Sequence, residues 1–294
     1  MNMQQQPTLV NRILYSTPVK ILIGFMLCVF IIAICQSFIP RIITGLFRNE
    51  NASIVVTGII TSAIVIYAYR RLYSKYEKRV ISELSLKNLL SNICAGVLLG
   101  FIYQSLVILC IYLNNSYTIV AINGIGGLLP YFIISVNAAI TEEIIFRGII
   151  FRLTEEKTGS YIALLISAAI FGGVHLMNEN STPLAAAAIA IEAGLLLGAA
   201  YIYTRNLWFP IAIHFAWNFA QSGIYGASTS GFAMKNGLIT ANIHGRTLLT
   251  GGLFGPEASA QAMIIGLLLS VLLLIISIRK GKIIQPRLKK NKVS

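Results

Sequence analysis

Glu142 and Glu143 stand side by side inside an apolar run from Tyr131 to Leu153, with Arg147 four residues further on. On insertion scales each charge at the centre of a membrane helix costs about 2.5–3.5 kcal/mol, so three facing lipid would cost about 7–10 kcal/mol. A chain that keeps them must bury them together or solvate them in a cavity. At roughly 100° per residue, Glu143 and Arg147 lie about 40° apart, one turn from each other, while Glu142 lies about 140° from Arg147. Helix geometry therefore assigns Arg147 to Glu143 and leaves Glu142 as the freer carboxylate and the candidate base.

Two further spans carry polar groups of the same kind. Phe171-x-x-x-His175 is one; His214-x-x-x-Asn218 is the other, its His and Asn sharing a helix face. A carboxylate in a low-dielectric site can serve as general base for water. A neutral imidazole can orient that water or ligate a metal, and His and Asn donors can stabilise the oxyanion of a tetrahedral intermediate. The structural alternatives are a Glu143–Arg147 ion pair that only fixes helix packing and a His175 that is only an interfacial hydrogen bonder. His244 falls in an outer loop and is given no role. Glu192, isolated among Ile and Ala, either pairs with another buried polar group or marks the same cavity.

Other hydrolytic chemistries are excluded by count and spacing. The chain has no aspartate, all ten acids being glutamate, which removes the aspartyl intramembrane proteases. None of the three histidines begins a His-Glu-x-x-His zinc helix, and no Gly-x-Ser-x-Gly nucleophile elbow occurs.

The elements that must position these residues are membrane helices. Of 294 residues 56% are hydrophobic and only 11% charged, against about 25% charged in soluble domains. The expected fold is an all-α, polytopic transmembrane helix bundle in one domain, 1–294, with its core at about 130–224. Eight segments have the ~17–25 residues a span needs: 21–39, 53–69, 89–113, 130–152, 161–177, 184–203, 208–224 and 260–278. With both termini cytoplasmic, 18 basic residues fall inside and four, Arg41, Arg48, Lys235 and Arg246, outside, as the positive-inside rule requires. The net charge of +13 is thus a topology signal, and no nucleic-acid partner is expected. The first apolar run is too long for a signal peptide and lacks a small-residue cleavage site, so it reads as a retained span. Cys28, Cys35, Cys94 and Cys110 lie in apolar spans without metal-ligand spacing and read as packing residues.

Three local features complete the pattern. Tyr69, Tyr73 and Tyr76 alternate with basic residues after the second span, which reads as an interfacial aromatic belt. Gly96-x-x-x-Gly100 and Gly194-x-x-x-Gly198 allow close helix approach. Pro256-Glu257, in the Gly-rich outer segment from about Tyr225 to Ser259, reads as the start of the last helix.

Taken in order, Glu142-Glu143-x-x-x-Arg147, Phe171-x-x-x-His175 and His214-x-x-x-Asn218 resemble the CPBP intramembrane proteases, the CAAX prenyl endopeptidases and bacteriocin-processing (Abi) enzymes. Gly194-x-x-x-Gly198, the stretch Tyr201-x-x-Thr204-Arg205-Asn206-Leu207-Trp208-x-Pro210 and the late Gly251-Gly252-Leu253-Phe254-Gly255-Pro256-Glu257 are similar to bacterial members as well. The resemblance covers roughly Tyr131 to Ala220 plus that loop. It implies an endopeptidase of a bacterial inner (plasma) membrane that cleaves a peptide or membrane-protein substrate. Glu142 and His175 would then position the attacking water, Glu143 held by Arg147 would support them, and His214 with Asn218 would form the oxyanion site. The resemblance leaves open a divalent metal such as zinc, held by Glu142, His175 and His214. Two other classes compete. Intramembrane Glu, Arg and His also suit a proton-coupled transporter, although no internal repeat is evident. A catalytically silent scaffold or bacteriocin-immunity protein would act by binding alone.

Overall fold

The computed structural model describes residues 8–233 and 237–286. Lys235 and the tail residues Arg287, Lys289, Lys290 and Lys292, used in the charge count, lie outside the described residues. The chain begins with a short helix α1 (Leu9–Leu14) and then the long α2 (Thr17–Phe47), with Pro18 in its first turn. Asn49 caps α3 (Glu50–Tyr76) by accepting the Ala52 N–H at 3.0 Å. Then come α4 (Leu89–Leu113), strand β1 (Tyr117–Ile122) and α5 (Leu128–Glu143). A π-helical stretch, Ile144–Phe151, carries α5 without interruption into α6 (Arg152–Val174). Thr182 caps α7 (Pro183–Ile189), which passes through a second π turn, Ala190–Leu195, into α8 (Leu196–Thr204). Next is α9 (Trp208–Asn218), extended by a third π turn, Phe219–Ile224. Strand β2 (Ile239–Ile243) pairs antiparallel with β1, and α10 (Thr247–Thr250) precedes α11 (Ala260–Arg279).

Among the described residues, six runs are long and apolar enough to cross a membrane. One of them, Ile125–Met177, is 53 residues long. It folds back at Gly159, whose φ of 78° and ψ of 170° no helical residue adopts, so it contributes two antiparallel spans. The 208–224 segment is helical too, through α9 and its π turn. All eight expected segments are therefore helical, and the protein is an all-α polytopic bundle.

Small residues set the helix spacing around the centre. A Cβ on Gly96 would lie 2.6 Å from the Ala212 Cβ and 2.7 Å from the Phe209 carbonyl oxygen, and one on Gly100 would collide with the Ile213 carbonyl. The Gly96/Gly100 stripe thus seats α4 directly on the backbone of α9. Gly194 and Gly198 bring their helix against Ala168 and Leu164 of α6 in the same way. Without a hydrophobic drive between helices in lipid, such contacts are what packs them.

Two features differ from the sequence expectation. Tyr69 and Tyr73 are buried rather than forming a belt. The Tyr69 hydroxyl bonds Glu83 and the Gly148 carbonyl, and Tyr73 donates to the Lys20 carbonyl at 2.9 Å. Buried arginine and glutamate groups at that end need polar partners, and the phenols supply them. The other difference is at α11. Pro256–Ala258 forms a separate 3₁₀ turn, and α11 begins after it with Ser259 as its cap.

Ion pairs concentrate at one end of the bundle, which we call the basic end. Glu77 meets Lys20 at 3.1 Å, Arg79 at 2.8 Å and Arg152 at 3.0 Å, and Glu83 meets Arg79 at 2.5 Å. Burial pushes the Glu77 carboxyl up, but Arg152, Arg79 and Lys20 more than offset this and hold it below the usual range. Arg205 pairs with Glu155 at 2.5 Å, and the chain after α11 lies across this corner, with Ser160 N–H bonded to the Ile284 carbonyl at 2.9 Å.

Candidate active site

Glu143 and Arg147 are both 0% exposed and pair at 2.7 Å, one turn apart as their spacing requires. Three elements hold the pair. The second guanidinium nitrogen donates to the carbonyls of Ala193 at 3.1 Å and Gly194 at 3.2 Å, and the guanidinium stacks 4.7 Å from the Phe171 ring centre. His214 brings its Nδ1 to 3.0 Å from the same Glu143 oxygen that Arg147 contacts. Arg147 and its two carbonyl partners all lie in π turns, where the i→i+5 pattern re-spaces backbone hydrogen bonds; such turns recur at functional sites. Gly148, in the same stretch, shows the same behaviour: its carbonyl receives Tyr69 Oη and Arg152 Nε, each at 2.9 Å.

Glu142, the adjacent residue, is in a different environment. Its side chain is 31% exposed, and its Oε2 has no hydrogen-bond partner. The nearest imidazole nitrogen, His214 Nε2, is 4.0 Å away, outside hydrogen-bond range. Glu142 lines a cavity of about 880 Å³, and so do His175 and Asn218. Ala138 and Ser135, one and two turns before Glu142 on α5, continue the wall. Val29 and Ile32 of α2 form an apolar flank, while Thr229, Ser230 and Phe232 of the loop after α9 form the roof.

The hydrogen bonds fix the imidazole tautomers. His175 Nδ1 sits 2.7 Å from the Phe171 carbonyl, which can only accept, so Nδ1 carries the proton and Nε2 presents a lone pair when the ring is neutral. His214 likewise directs Nδ1–H at the Glu143 carboxylate, which orients the ring and leaves Nε2 on the side of Glu142. Phe171 contacts both rings, at 4.7 Å from His175 and 6.4 Å from His214, which gives the first residue of Phe171-x-x-x-His175 a packing reason.

All six residues singled out by sequence are thus brought together, in two layers. Glu143, Arg147 and the Nδ1 face of His214 form a sealed support, while Glu142, His175 and Asn218 face the cavity. Among the described residues no group of three or more His, Cys or Glu side chains is arranged to hold a metal ion. Glu142, His175 and His214 do not make a three-donor set in this geometry, and no step below is routed through a metal.

Glu192 does not line the cavity. Its carboxyl pairs with the Tyr103 hydroxyl at 2.6 Å, the first of the two readings given to it. The residues that sequence reasoning missed are Trp217, Gln221 and Glu257. Trp217 Nε1 donates to Gln221 at 3.2 Å, Gln221 donates to the Ser228 carbonyl at 2.7 Å, and the Glu257 carboxylate receives Gln221 Nε2 and the Ser230 N–H. This chain ties the roof to the helix that carries His214 and Asn218. The one signal for it was an acid held between Pro256 and the apolar start of the last helix.

Residues 124–220 match the family model described as type II CAAX prenyl endopeptidase Rce1-like. The protein named Putative membrane peptidase YdiL, of Bacillus subtilis (strain 168), is 38% identical over 84 residues, which is 29% of this chain and 32% of that protein. The match therefore spans about a third of the relative's length. No solved structure matches the chain. The matched part holds Glu142, Glu143, Arg147, His175, His214 and Asn218, and over that segment this integral membrane protein is similar to the type II CAAX prenyl endopeptidase family.

Proposed function

We propose that the protein is an intramembrane endopeptidase in which Glu142 activates water for attack on a peptide bond. The observation that carries this reading is the separation of the two adjacent glutamates. Glu143 is fully buried, its Oε1 taken by both Arg147 and His214, whereas Glu142 is 31% exposed, has no cation within hydrogen-bond distance and lines a cavity that His175 and Asn218 also line. A carboxylate in a low-dielectric site that water can reach, with no cation bonded to it, is placed to act as a general base.

In the reaction, Glu142 takes a proton from a water that also donates to His175 Nε2. The resulting hydroxide bonds to the peptide carbonyl carbon. Asn218 Nδ2–H donates to the oxyanion, and His214 adds a second donor through Nε2–H when its ring is charged, with Glu143 as counter-ion. Collapse of the tetrahedral intermediate breaks the C–N bond, and the proton held by Glu142 passes to the leaving amine. The Glu143–Arg147 pair fixes His214 and neither gives nor takes a proton in the reaction.

The test is a peptidase assay of the purified full chain against peptide libraries, with and without chelator, beside the His175→Asn variant. The expected result is defined product termini from the parent and a loss of roughly 100-fold or more in the variant, as for removal of a general acid–base partner. A parent protein that cleaves nothing, or a variant that cleaves equally well, contradicts the proposal.

A further inference from the structure

We infer that the cavity receives substrate from the outer, extracytoplasmic side of the membrane, so that the substrates are peptides or membrane-anchored segments presented there. This deepens the proposed function, because it rests on reading the cavity as the place where substrate binds.

Two independent observations meet here. The first is which end of the bundle the cavity opens to. Its deepest polar residue is Glu142, in the middle of the span formed by α5 and its π stretch. Phe146, one turn further along, closes its floor, and from there its lining leads to His175, Met177 and Asn178 at the end of α6, to Ser222 beyond α9, and to the roof residues Thr229, Ser230 and Phe232. All of these lie at the end of the bundle opposite the basic end. In the other direction the bundle is filled. Below Glu142 come the sealed Glu143–Arg147 pair, then the buried Ile149, Phe151, Tyr69 and Tyr201, then the ion pairs of Glu77, Glu83, Arg79 and Arg152.

The second observation is charge. Among the described residues, basic residues on the sealed side outnumber those toward the cavity's end, Arg41, Arg48 and Arg246, by 14 to three. Short loops rich in Lys and Arg stay cytoplasmic, which places the sealed end inside and the cavity mouth outside. The bias is carried by the last turns of α3 and its connection to α4, with Arg70, Arg71, Lys75, Lys78, Arg79 and Lys87, and so does not depend on the tail.

The chemistry of the walls narrows the substrate. Val29, Ile32, Ile134, Val174 and Phe146 give the cavity an apolar flank, suited to a hydrophobic stretch of substrate. The roof offers a backbone segment, Thr229–Phe232, whose Ser230 N–H is already engaged by Glu257 and whose Ser230 and Gly231 carbonyls are engaged by Asn178 and Asn180. This roof is held in place by side-chain bonds, so it frames the mouth. A peptide cleaved here would pass its apolar part between α2 and α5 and approach from outside. A substrate whose scissile bond is confined to the cytoplasm has no route to Glu142.

The experiment is thiol labelling of the full chain, with Cys28, Cys35, Cys94 and Cys110 replaced by Ala and one new cysteine per variant. A membrane-impermeant maleimide is applied to right-side-out and to inverted vesicles. Ala138→Cys reports the cavity wall, Phe232→Cys the roof and Lys157→Cys the basic end. Expected are labelling of Ala138→Cys and Phe232→Cys in right-side-out vesicles only, and of Lys157→Cys in inverted vesicles only. Labelling of Ala138→Cys only in inverted vesicles overturns the inference, and so does its protection on both sides while Phe232→Cys labels normally. If Ala138→Cys fails to fold, Ser135→Cys on the same wall replaces it. A second arm adds peptides chosen from the library assay to each type of vesicle: cleavage in right-side-out vesicles is expected, and cleavage only in inverted ones overturns the inference. The labelling arm needs no turnover, so it stands or falls separately from the peptidase reading.

Discussion

At the basic end of the bundle, Glu77 is shared by Lys20, Arg79 and Arg152, and Glu83 by Arg79 and Tyr69. Toward the other end, Glu142 faces a cavity and has no cation within hydrogen-bond distance, His214 Nε2 being 4.0 Å away. The residue type is the same and the number of partners is opposite. Saturated carboxylates cross-brace α2, α3 and α6 and close one end. The unsaturated one is left where water and a peptide can reach it. Glu143 stands at the boundary, one residue from Glu142 in sequence yet fully buried and paired with Arg147 and His214 through Oε1. The comparison teaches that Glu142 is set apart by lacking a cation and facing the cavity at once, whereas the other carboxylates without a cation, Glu192 and Glu257, are buried on neutral donors.

Breaking the bracing should show first where the two layers meet. In Glu143→Gln the buried Arg147 guanidinium loses its counter-charge, and removing one partner of a buried pair costs roughly 3–5 kcal/mol. The expected outcome is a large drop in melting temperature and in the yield of monodisperse protein, measured by thermal scanning and size exclusion, with activity lost through the fold. An unchanged melting curve would remove the distinction between support and reactive layers.

A smaller effect is expected from the helix seat. Gly100→Val inserts a side chain against the Ile213 carbonyl and Ala216, and overpacking of this kind costs about 1–3 kcal/mol. Because it shifts the helix that carries His214 and Asn218, cleavage should fall by roughly 100-fold, the loss expected of a misplacement of about 1 Å. Measuring kcat and melting temperature on the same preparation separates the two losses.

The bracing set also has a pH signature. Glu77 and Glu83 are held below the ordinary carboxylate range, in each case because arginines outweigh the cost of burial. A depressed carboxyl stabilises the fold above its unfolded pKa and loses that contribution as pH falls through the folded one. Stability should therefore be flat at neutral pH and drop once the pH is taken below the ordinary carboxylate range, with Arg79→Ala flattening the decline.

The smallest effect belongs to the roof and has the opposite sign. Burial, partly countered by the Ser230 and Gln221 donors, raises the Glu257 carboxyl to about 7. A raised carboxyl makes its fullest contribution below its unfolded pKa and loses it as pH rises toward the folded value. Hydrogen exchange of the Ser228–Phe232 amides should accelerate as pH goes from the ordinary carboxylate value up to about 7, beyond the intrinsic change, and Glu257→Gln should remove that dependence.

Much of this was legible in the chain because membrane helices obey simple rules. Hydropathy located all six membrane-capable runs found among the described residues, since backbone polar groups in lipid leave few alternatives to helix. The i,i+4 spacing of Glu143 and Arg147 was enough to separate their pair from Glu142, and that arrangement appears in the structure at 2.7 Å. The contacts that join distant segments were not legible. Nothing local to Tyr69 indicates that it will meet Glu83 and Gly148, and nothing near Pro256 indicates that Glu257 will reach back to Ser230. The β1–β2 pair was also missed, because its two short strands lie more than a hundred residues apart in sequence. The π turns escaped because periodicity is read at 3.6 residues per turn, and one extra residue changes a face only locally.

The central claim is that Glu142, and not its neighbour, carries the chemistry. It is tested most directly by comparing the purified Glu142→Gln variant with the parent for peptide cleavage and thermal stability together. The account predicts that cleavage is abolished while the melting temperature is unchanged or higher, since no partner of Glu142 Oε2 is lost. Cleavage retained by a folded Glu142→Gln protein would contradict it.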